Sequence, residues 1–384
     1  MVIRYNPFNP QQPAKPHFFV GREQERKSFE TFLLQTIHSS PMNLAITGDR
    51  GMGKTSILRK FEEIAKENNC LTIRLSDYEG NINDVIEFSD FLVTNIQTEL
   101  ISRDLLSRSL ENISKFVSSL KPEFSIGDVS ISLEKKQIVQ ELLRKRLLDI
   151  WDNVSTKYTS IIILFDEAES LEKLGVLTFL REVFQRVQEK ANYMVVLAGK
   201  FNFSERMSES FSPLNRFFPV ERLRKLDKLN VAKYIRNQLS ETDITINEEA
   251  INIIFNKTEG HPYVLVQSCF IIFDSMLENE FEINVPLVNR TLQKVKGKLT
   301  QDFFLPMFHP LRPKAKKILC QIARNSQGLK FSFDEARKWN KIRANELSPY
   351  LGELIAKGVI NKPRRSEYEI FHTLFKEFLK VQNC

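Results

Sequence analysis

Five short apolar runs recur along the first 220 residues: Met42–Thr47, Cys70–Leu75, Ser160–Asp166, Tyr193–Ala198 and Phe217–Val220. They alternate with stretches of helical spacing, such as Ser56–Ala65. That alternation implies a parallel sheet with helices on both faces, an α/β unit over residues 19–225. Residues 226–300 carry helical spacing throughout, and their most apolar run, Tyr263–Phe273, reads as a buried helix. Residues 310–384 read as helices followed by a short hairpin. A long insertion separates the second and third strands. It reads as helix over Asn83–Leu120, a hairpin over Phe124–Leu133 around Gly127-Asp128, and helix again over Glu134–Asp152. Residues 1–18 hold Pro7, Pro10, Pro13 and Pro16 and read as an extended arm.

One loop between a strand and a helix carries specific chemistry. Gly48-Asp-Arg-Gly-Met-Gly-Lys54-Thr55 matches the phosphate-gripping pattern G-x-x-x-x-G-K-[ST]. Glycines let the backbone N–H groups of Asp49, Arg50, Gly51, Met52 and Gly53 curl around phosphates. The helix start at Lys54, Thr55 and Ser56 adds partial positive charge. Lys54 should reach the β- and γ-phosphates, and the Thr55 hydroxyl should ligate Mg²⁺. The expected cofactors are ATP or ADP and Mg²⁺.

Such a loop needs a carboxylate at a neighbouring strand end. Ser160-Ile-Ile-Ile-Leu-Phe-Asp166-Glu167 runs an apolar strand into two acids. Asp166 would orient the metal, and Glu167 would polarise the attacking water, which points to hydrolysis. After the next strand, Lys200 and Asn202 are candidates to sense the γ-phosphate. Arg216 could stabilise transition-state charge, with Arg206, Arg222 and Arg224 as competitors. Arg216 acting in trans would require a homo-oligomer. Asp166-Glu-Ala-Glu169 does not read as a DEAD-like helicase motif, because Glu169 stands where those motifs end in Asp or His.

The same residues resemble the AAA+/STAND superclass, particularly archaeal-type ATPases and archaeal origin-recognition initiators. Phe19-Val-Gly-Arg-Glu23 looks like the segment before the first helix, where the resemblance implies that Val20, Gly21 and Arg22 line the base. The phosphate loop and the acidic strand follow in the family's order. Thr258-Glu-Gly-His-Pro262-Tyr looks like the segment that opens a lid helix, which implies that His261 and Pro262 close over the nucleotide. The implied fold is a P-loop core with a five-stranded parallel sheet, an α-helical lid over 226–300 and a C-terminal winged helix-turn-helix over 310–384. His261-Pro-Tyr-Val-Leu-Val-Gln267 lacks the arginine that hexameric ring motors place there, so a nucleotide-controlled switch fits better than a processive motor.

Charge adds a partner. The net charge of the 384 residues is +7. Residues 310–384 hold 16 Lys/Arg against 7 Asp/Glu, a local excess of +9, so the rest of the chain is slightly acidic. A basic terminal module points to a polyanion, with duplex DNA ahead of a membrane surface. Ser332 and Glu335 form a capping-box pattern at the second helix of this module. Its third helix, Asn345–Lys357, would enter the major groove, and Lys362, Arg364 and Arg365 would meet phosphates. Glu346 and Glu353 on the third helix would oppose that contact, so protein docking by a STAND-like signalling or defence ATPase stands as the other reading. No apolar stretch is long enough to span a membrane and no signal-peptide core opens the chain, which leads us to expect a cytoplasmic protein. The four cysteines are scattered without a C-x-x-C pair, which argues against a zinc ribbon.

Overall fold

A computed structural model of the chain describes residues 5–14, 18–76, 82–103, 133–172, 175–201, 203, 213–364 and 366–383. The chain divides into two compact units. The first comprises Arg22–Thr47 and Ile57–Arg222; the second comprises Met1–Gly21, Gly48–Ser56 and Leu223–Cys384.

The first unit is organised by a sheet of β1 (Leu44–Thr47), β2 (Leu71–Ser76), β3 (Ile161–Asp166), β4 (Tyr193–Gly199) and β5 (Val220–Arg222). All pairs are parallel, in the order β2-β3-β4-β1-β5. Burial follows that order. Every residue of β1, β3 and β4 is buried, whereas the edge strands β2 and β5 keep exposed positions. A strand covered on both faces can be apolar at consecutive positions, which is why the central strands appear as uninterrupted runs.

The fifth strand differs from expectation. It begins at Val220, not Phe217, because Leu214–Phe217 form one helical turn and Pro219 has no N–H to offer a ladder. Phe217 and Phe218 pack edge to face at 4.9 Å, so side-chain packing rather than strand pairing hides that apolar pair. In the insertion, helices Val85–Ser102 and Leu133–Val154 pack on each other, and the latter also packs on helix Val176–Val187. The Asp84 carboxylate accepts from the Ile86 and Glu87 N–H groups and so caps the first of these helices. The expected hairpin lies outside the described residues apart from Leu133, which opens a helix.

The second unit continues with four helices, Lys228–Leu239, Glu248–Thr258, Pro262–Asp274 and Val285–Leu299. Asp227, Asn247 and Asn284 cap three of them with side-chain oxygens. Short parallel strands β6 (Thr245–Ile246) and β7 (Glu282–Ile283) tie their loops together. The described part of the Pro-rich arm packs on these helices: Phe8 is buried beside Tyr234 and Phe273, and the Asn6 amide donates to the Phe270 carbonyl at 2.9 Å. Beyond a π-turn at Thr300–Phe304 come helices Pro313–Asn325, Phe333–Asn340 and Ala344–Ala356. An antiparallel sheet of β8 (Lys330–Ser332), β9 (Ile360–Arg364) and β10 (Glu367–Ile370) runs in the order β8-β10-β9. The Ser332–Glu335 capping box forms. β8 and a last helix, Thr373–Lys380, add to the elements expected here. From that helix the Lys376 ammonium reaches the carbonyls of Ser326 and Gly328, both at 2.7 Å, and so anchors the turn before β8.

The first unit has a test of its packing. Phe29 and Phe61 are fully buried and stack at 4.1 Å with their planes 6° apart. Phe61→Ala should cost about 3–5 kcal/mol in urea unfolding. Leu34→Ala, at an exposed position of the helix that carries Phe29, should stay within about 0.5 kcal/mol of wild type.

Candidate functional site

The phosphate-loop sequence leaves β1 at Thr47 and enters helix Lys54–Glu67. Gly51 and Gly53 have φ of +78° and +88°, a conformation that side-chain-bearing residues rarely adopt. A Cβ at Gly51 would also lie 2.7 Å from Tyr263 Cβ and 2.9 Å from His261 Cε1. The Lys54 ammonium donates to the carbonyls of Gly48 and Asp49 at 2.9 and 3.0 Å. Asp49 is half-buried as a residue, but its carboxyl group is enclosed. Burial pushes its pKa up, against the opposing pull of Asn361, Lys54 and Lys225. Asn361 Nδ2 donates to Asp49 Oδ2 at 2.9 Å from β9, a partner 312 residues away. Arg50 is exposed and its guanidinium lies over the Phe303 ring at 5.9 Å.

The turn before helix Pro262–Asp274 meets this loop directly. Glu259 and Gly260 both have positive φ, at +52° and +68°. Gly260 is bonded through its carbonyl to the Leu226 N–H at 2.8 Å, and a Cβ on it would meet the Leu226 oxygen at 1.9 Å. His261 then serves as N-cap and Pro262 takes the first helical position, where a missing N–H costs nothing. The Tyr263 N–H donates to the Gly51 carbonyl at 3.1 Å. A helix-start donor that has no partner within its own helix is thereby satisfied by the loop. The His261 ring is buried between Phe303, Phe371 and His372. Burial drives its pKa well below the ordinary value, so it is neutral. Among the described residues neither ring nitrogen has a hydrogen-bond partner, though the nearby Arg50 backbone favours the charged form.

Beside this turn, Glu259 joins two elements. It accepts from Lys225 at 2.5 Å and from the Thr373 N–H at 3.0 Å, and the His372 ring lies 4.0 Å away. The Leu374 N–H donates to His372 Nδ1, so Nε2 carries the proton and donates to the Thr258 carbonyl at 2.9 Å. Val20 is buried in the core of helices Lys228–Leu239, Glu248–Thr258, Pro262–Asp274 and Val285–Leu299, and Gly21, at φ +67°, packs against Leu226 and Asn230.

In the other unit, Asp166 ends β3 in register with Ser76 and is buried. Its Oδ1 accepts from the Glu167 N–H at 3.1 Å. Glu167 has φ +56°, a strained conformation for a residue other than glycine, immediately after the strand. The Ser76 hydroxyl is buried without a hydrogen-bond partner among the described residues. β4 lies between β1 and β3, so Lys200 at its tip stands between those strand ends and forms an ion pair with Glu169 at 3.3 Å. Arg22 begins the first helix with φ +70°, 3.7 Å from Glu25. Arg216 and Arg224 are exposed, and Arg222 lies over the Phe201 ring at 5.1 Å. Asn202, Arg206 and Arg365 lie outside the described residues. Lys362 is half-buried and Arg364 exposed, both on β9. Thr55 and Ser56 sit in the first turn of the loop's helix, where the Ala14 N–H donates to Ser56 Oγ at 3.1 Å.

Residues 19–197 match the family model described as the AAA ATPase domain. The matched segment spans both the phosphate-loop sequence and the acidic end of β3, and the match ends within β4. An uncharacterized HTH-type transcriptional regulator of Methanocaldococcus jannaschii is 25% identical over 283 residues, covering 70% of this chain and 67% of the relative. Among solved structures, a Walker-type ATPase of Pyrococcus abyssi superposes with a TM-score of 0.62 at 18% identity, covering 98% of this chain and 100% of the other. The Aeropyrum pernix ORC2 protein, solved as ADPNP–ADP complexes, gives 0.59 at 12% identity, covering 93% and 91%. At these identities the likeness is one of fold.

Phe303, His372 and Asn361 were not legible as parts of this constellation: each acts on the loop or on the turn at Thr258–Tyr263 from a distant stretch, and none belongs to a motif with fixed spacing. Glu259 and Tyr263 belong to the quoted Thr258–Tyr263 segment, but their contacts with Lys225, Thr373 and Gly51 were not legible. The Glu259 cluster is open to a pH test. Burial pushes its carboxyl up, but His372, Lys225 and the Thr373 N–H prevail and bring it down to about 2. Burial also lowers the pKa of His372, so at neutral pH Lys225 and Thr373 carry most of the attraction. A depressed folded-state pKa means stability present above the ordinary value of 4.5 and lost as pH falls toward about 2. Glu259→Gln should therefore lower urea stability at pH 7. Its deficit against wild type should shrink steadily below pH 4.5.

Proposed function

We propose that the chain is an ATP-binding and ATP-hydrolysing switch that controls a C-terminal DNA-binding module. The observation that carries this reading is the Tyr263 N–H to Gly51 carbonyl bond, which joins the lid turn to the phosphate loop. On this reading residues 1–18 are an arm, 19–225 the ATPase core, 226–300 the lid and 310–384 a winged helix-turn-helix. The residues fit a bound polyphosphate: two glycines with positive φ, a lysine, and a helix start at the end of the loop. Lys54 would hold the phosphates, with Asp49 to Ser56 supplying backbone donors. Thr55 and Asp166 offer the hard oxygen ligands that Mg²⁺ prefers. Glu167 orients the attacking water, and Val20, Gly21, Arg22, His261 and Pro262 enclose the nucleotide. Arg216, exposed on its short helix, is available to act in trans.

Charge and exposure support DNA as the partner. Glu353, which the sequence set against phosphates, is paired with Arg312 at 2.6 Å, and Glu346 is paired with Lys314. The exposed positions of helix Ala344–Ala356 include Asn345, Ser348 and Gly352, and exposed Arg337, Lys338, Lys341 and Arg343 lead into it. This pairing supports the DNA reading, because it lessens the repulsion that acids on the third helix would offer phosphates. The helix-turn-helix named in the Methanocaldococcus relative is consistent with it.

Two measurements test the reading. Lys54→Ala and Glu167→Gln should each reduce ATP turnover by about 10²-fold or more, and unchanged turnover in both would remove the site. Duplex DNA affinity should fall steeply with salt, on a log–log slope reflecting several phosphate contacts. Lys341→Glu with Arg343→Glu should abolish the binding. No affinity at low salt, with or without ATP, would leave protein docking as the role of the module.

A further inference from the structure

β9 carries two of the cations set against DNA phosphates, Lys362 and Arg364. Yet the residue beside Lys362 is engaged within the molecule. Asn361 donates its amide to the Asp49 carboxylate at 2.9 Å, on the loop that must cradle phosphates. The contact is not isolated. The Lys54 ammonium is turned onto the Gly48 and Asp49 carbonyls, and Lys225 is the other cation acting on Asp49. Gly51 is crowded by Tyr263, His261 and Phe303, and Glu259 binds the Thr373 N–H just after β10. The loop is thus tied to the C-terminal module through its second residue and to the lid through its fourth.

We propose that the Asp49–Asn361 hydrogen bond is an autoinhibitory latch between the phosphate loop and the C-terminal module. The inference rests on the nucleotide-binding reading of the loop and adds its regulation. The sign follows from electrostatics. A carboxylate held within the phosphate loop opposes an incoming polyphosphate, and Lys54 must leave two carbonyls to grip it. Asn361 keeps Asp49 in that place. Polyphosphate binding and latch closure therefore compete, and nucleotide releases β9 with its cations. DNA held on β9 would, by the same linkage, favour nucleotide binding.

The full chain is titrated with ADP and with MgATP by calorimetry, as wild type, Asn361→Ala and Asn361→Asp. The first substitution removes the donor, and the second sets a carboxylate against Asp49. Amide hydrogen exchange across residues 48–53 is followed without nucleotide, and a thermal melt confirms that each variant is folded. Both variants should bind nucleotide about tenfold more tightly, the scale of one hydrogen bond to a charged group, and residues 48–53 should exchange faster. Binding by the variants with none by wild type would be the same result in stronger form. Unchanged or weaker affinity in folded variants would overturn the latch, as would unchanged exchange at residues 48–53. Binding by none of the three proteins would end the nucleotide reading itself and the latch with it, a result distinct from unchanged affinity.

Discussion

Gly260 has no room for a side chain, and the arrangement around the phosphate loop depends on that. Its carbonyl is bonded to Leu226, its φ is +68°, and a Cβ would strike the Leu226 oxygen. The chain can therefore pass close beside Leu226 and turn sharply into helix Pro262–Asp274. That turn aims the Tyr263 N–H at Gly51 and buries the His261 ring. Gly51 answers with the same property, because His261 and Tyr263 fill the space a side chain would need. Two glycines from distant stretches permit one backbone-to-backbone contact, and the aromatic cluster of Tyr263, Phe303, Phe371 and His372 packs behind it.

Several polar groups in this corner are paired, whereas the two His261 ring nitrogens have no hydrogen-bond partner among the described residues. Glu259 satisfies Lys225 and the N–H that follows His372, while His372 holds one tautomer by accepting from Leu374 and donating to Thr258. A buried carboxylate with one neutral donor and two nearby lysines, as at Asp49, is a more sensitive arrangement. Breaking the Asn361 hydrogen bond leaves the Asp49 carboxyl group without that partner in a poorly solvated place, which is costly.

Much of the core was legible because its signals are local. Ile161 to Phe165 read as a strand buried on both faces, and β3 is that strand. Gly48 to Thr55 lie within one turn of chain, so their spacing alone specifies a loop that runs into a helix. Ser332 and Glu335 are three residues apart, and their mutual hydrogen bonds need no other part of the molecule. The fifth strand was misread at Phe217 for the opposite reason. An apolar pair packed edge to face looks the same in sequence as an apolar strand, and only its neighbours distinguish them.

By itself the sequence determined the parallel α/β core, the phosphate-loop pattern, the positions of the acids Asp166 and Glu167, and the basic excess after Pro310. Each of these is written in consecutive residues or in composition. Tertiary structure alone decided that Glu346 and Glu353 are neutralised by Lys314 and Arg312, that His261 is buried and neutral, and that Asn361 meets Asp49. Those outcomes depend on which surfaces close on each other across long separations of chain. Hydrogen bonds and burial at such places are set by the packed neighbours, and no spacing rule encodes them.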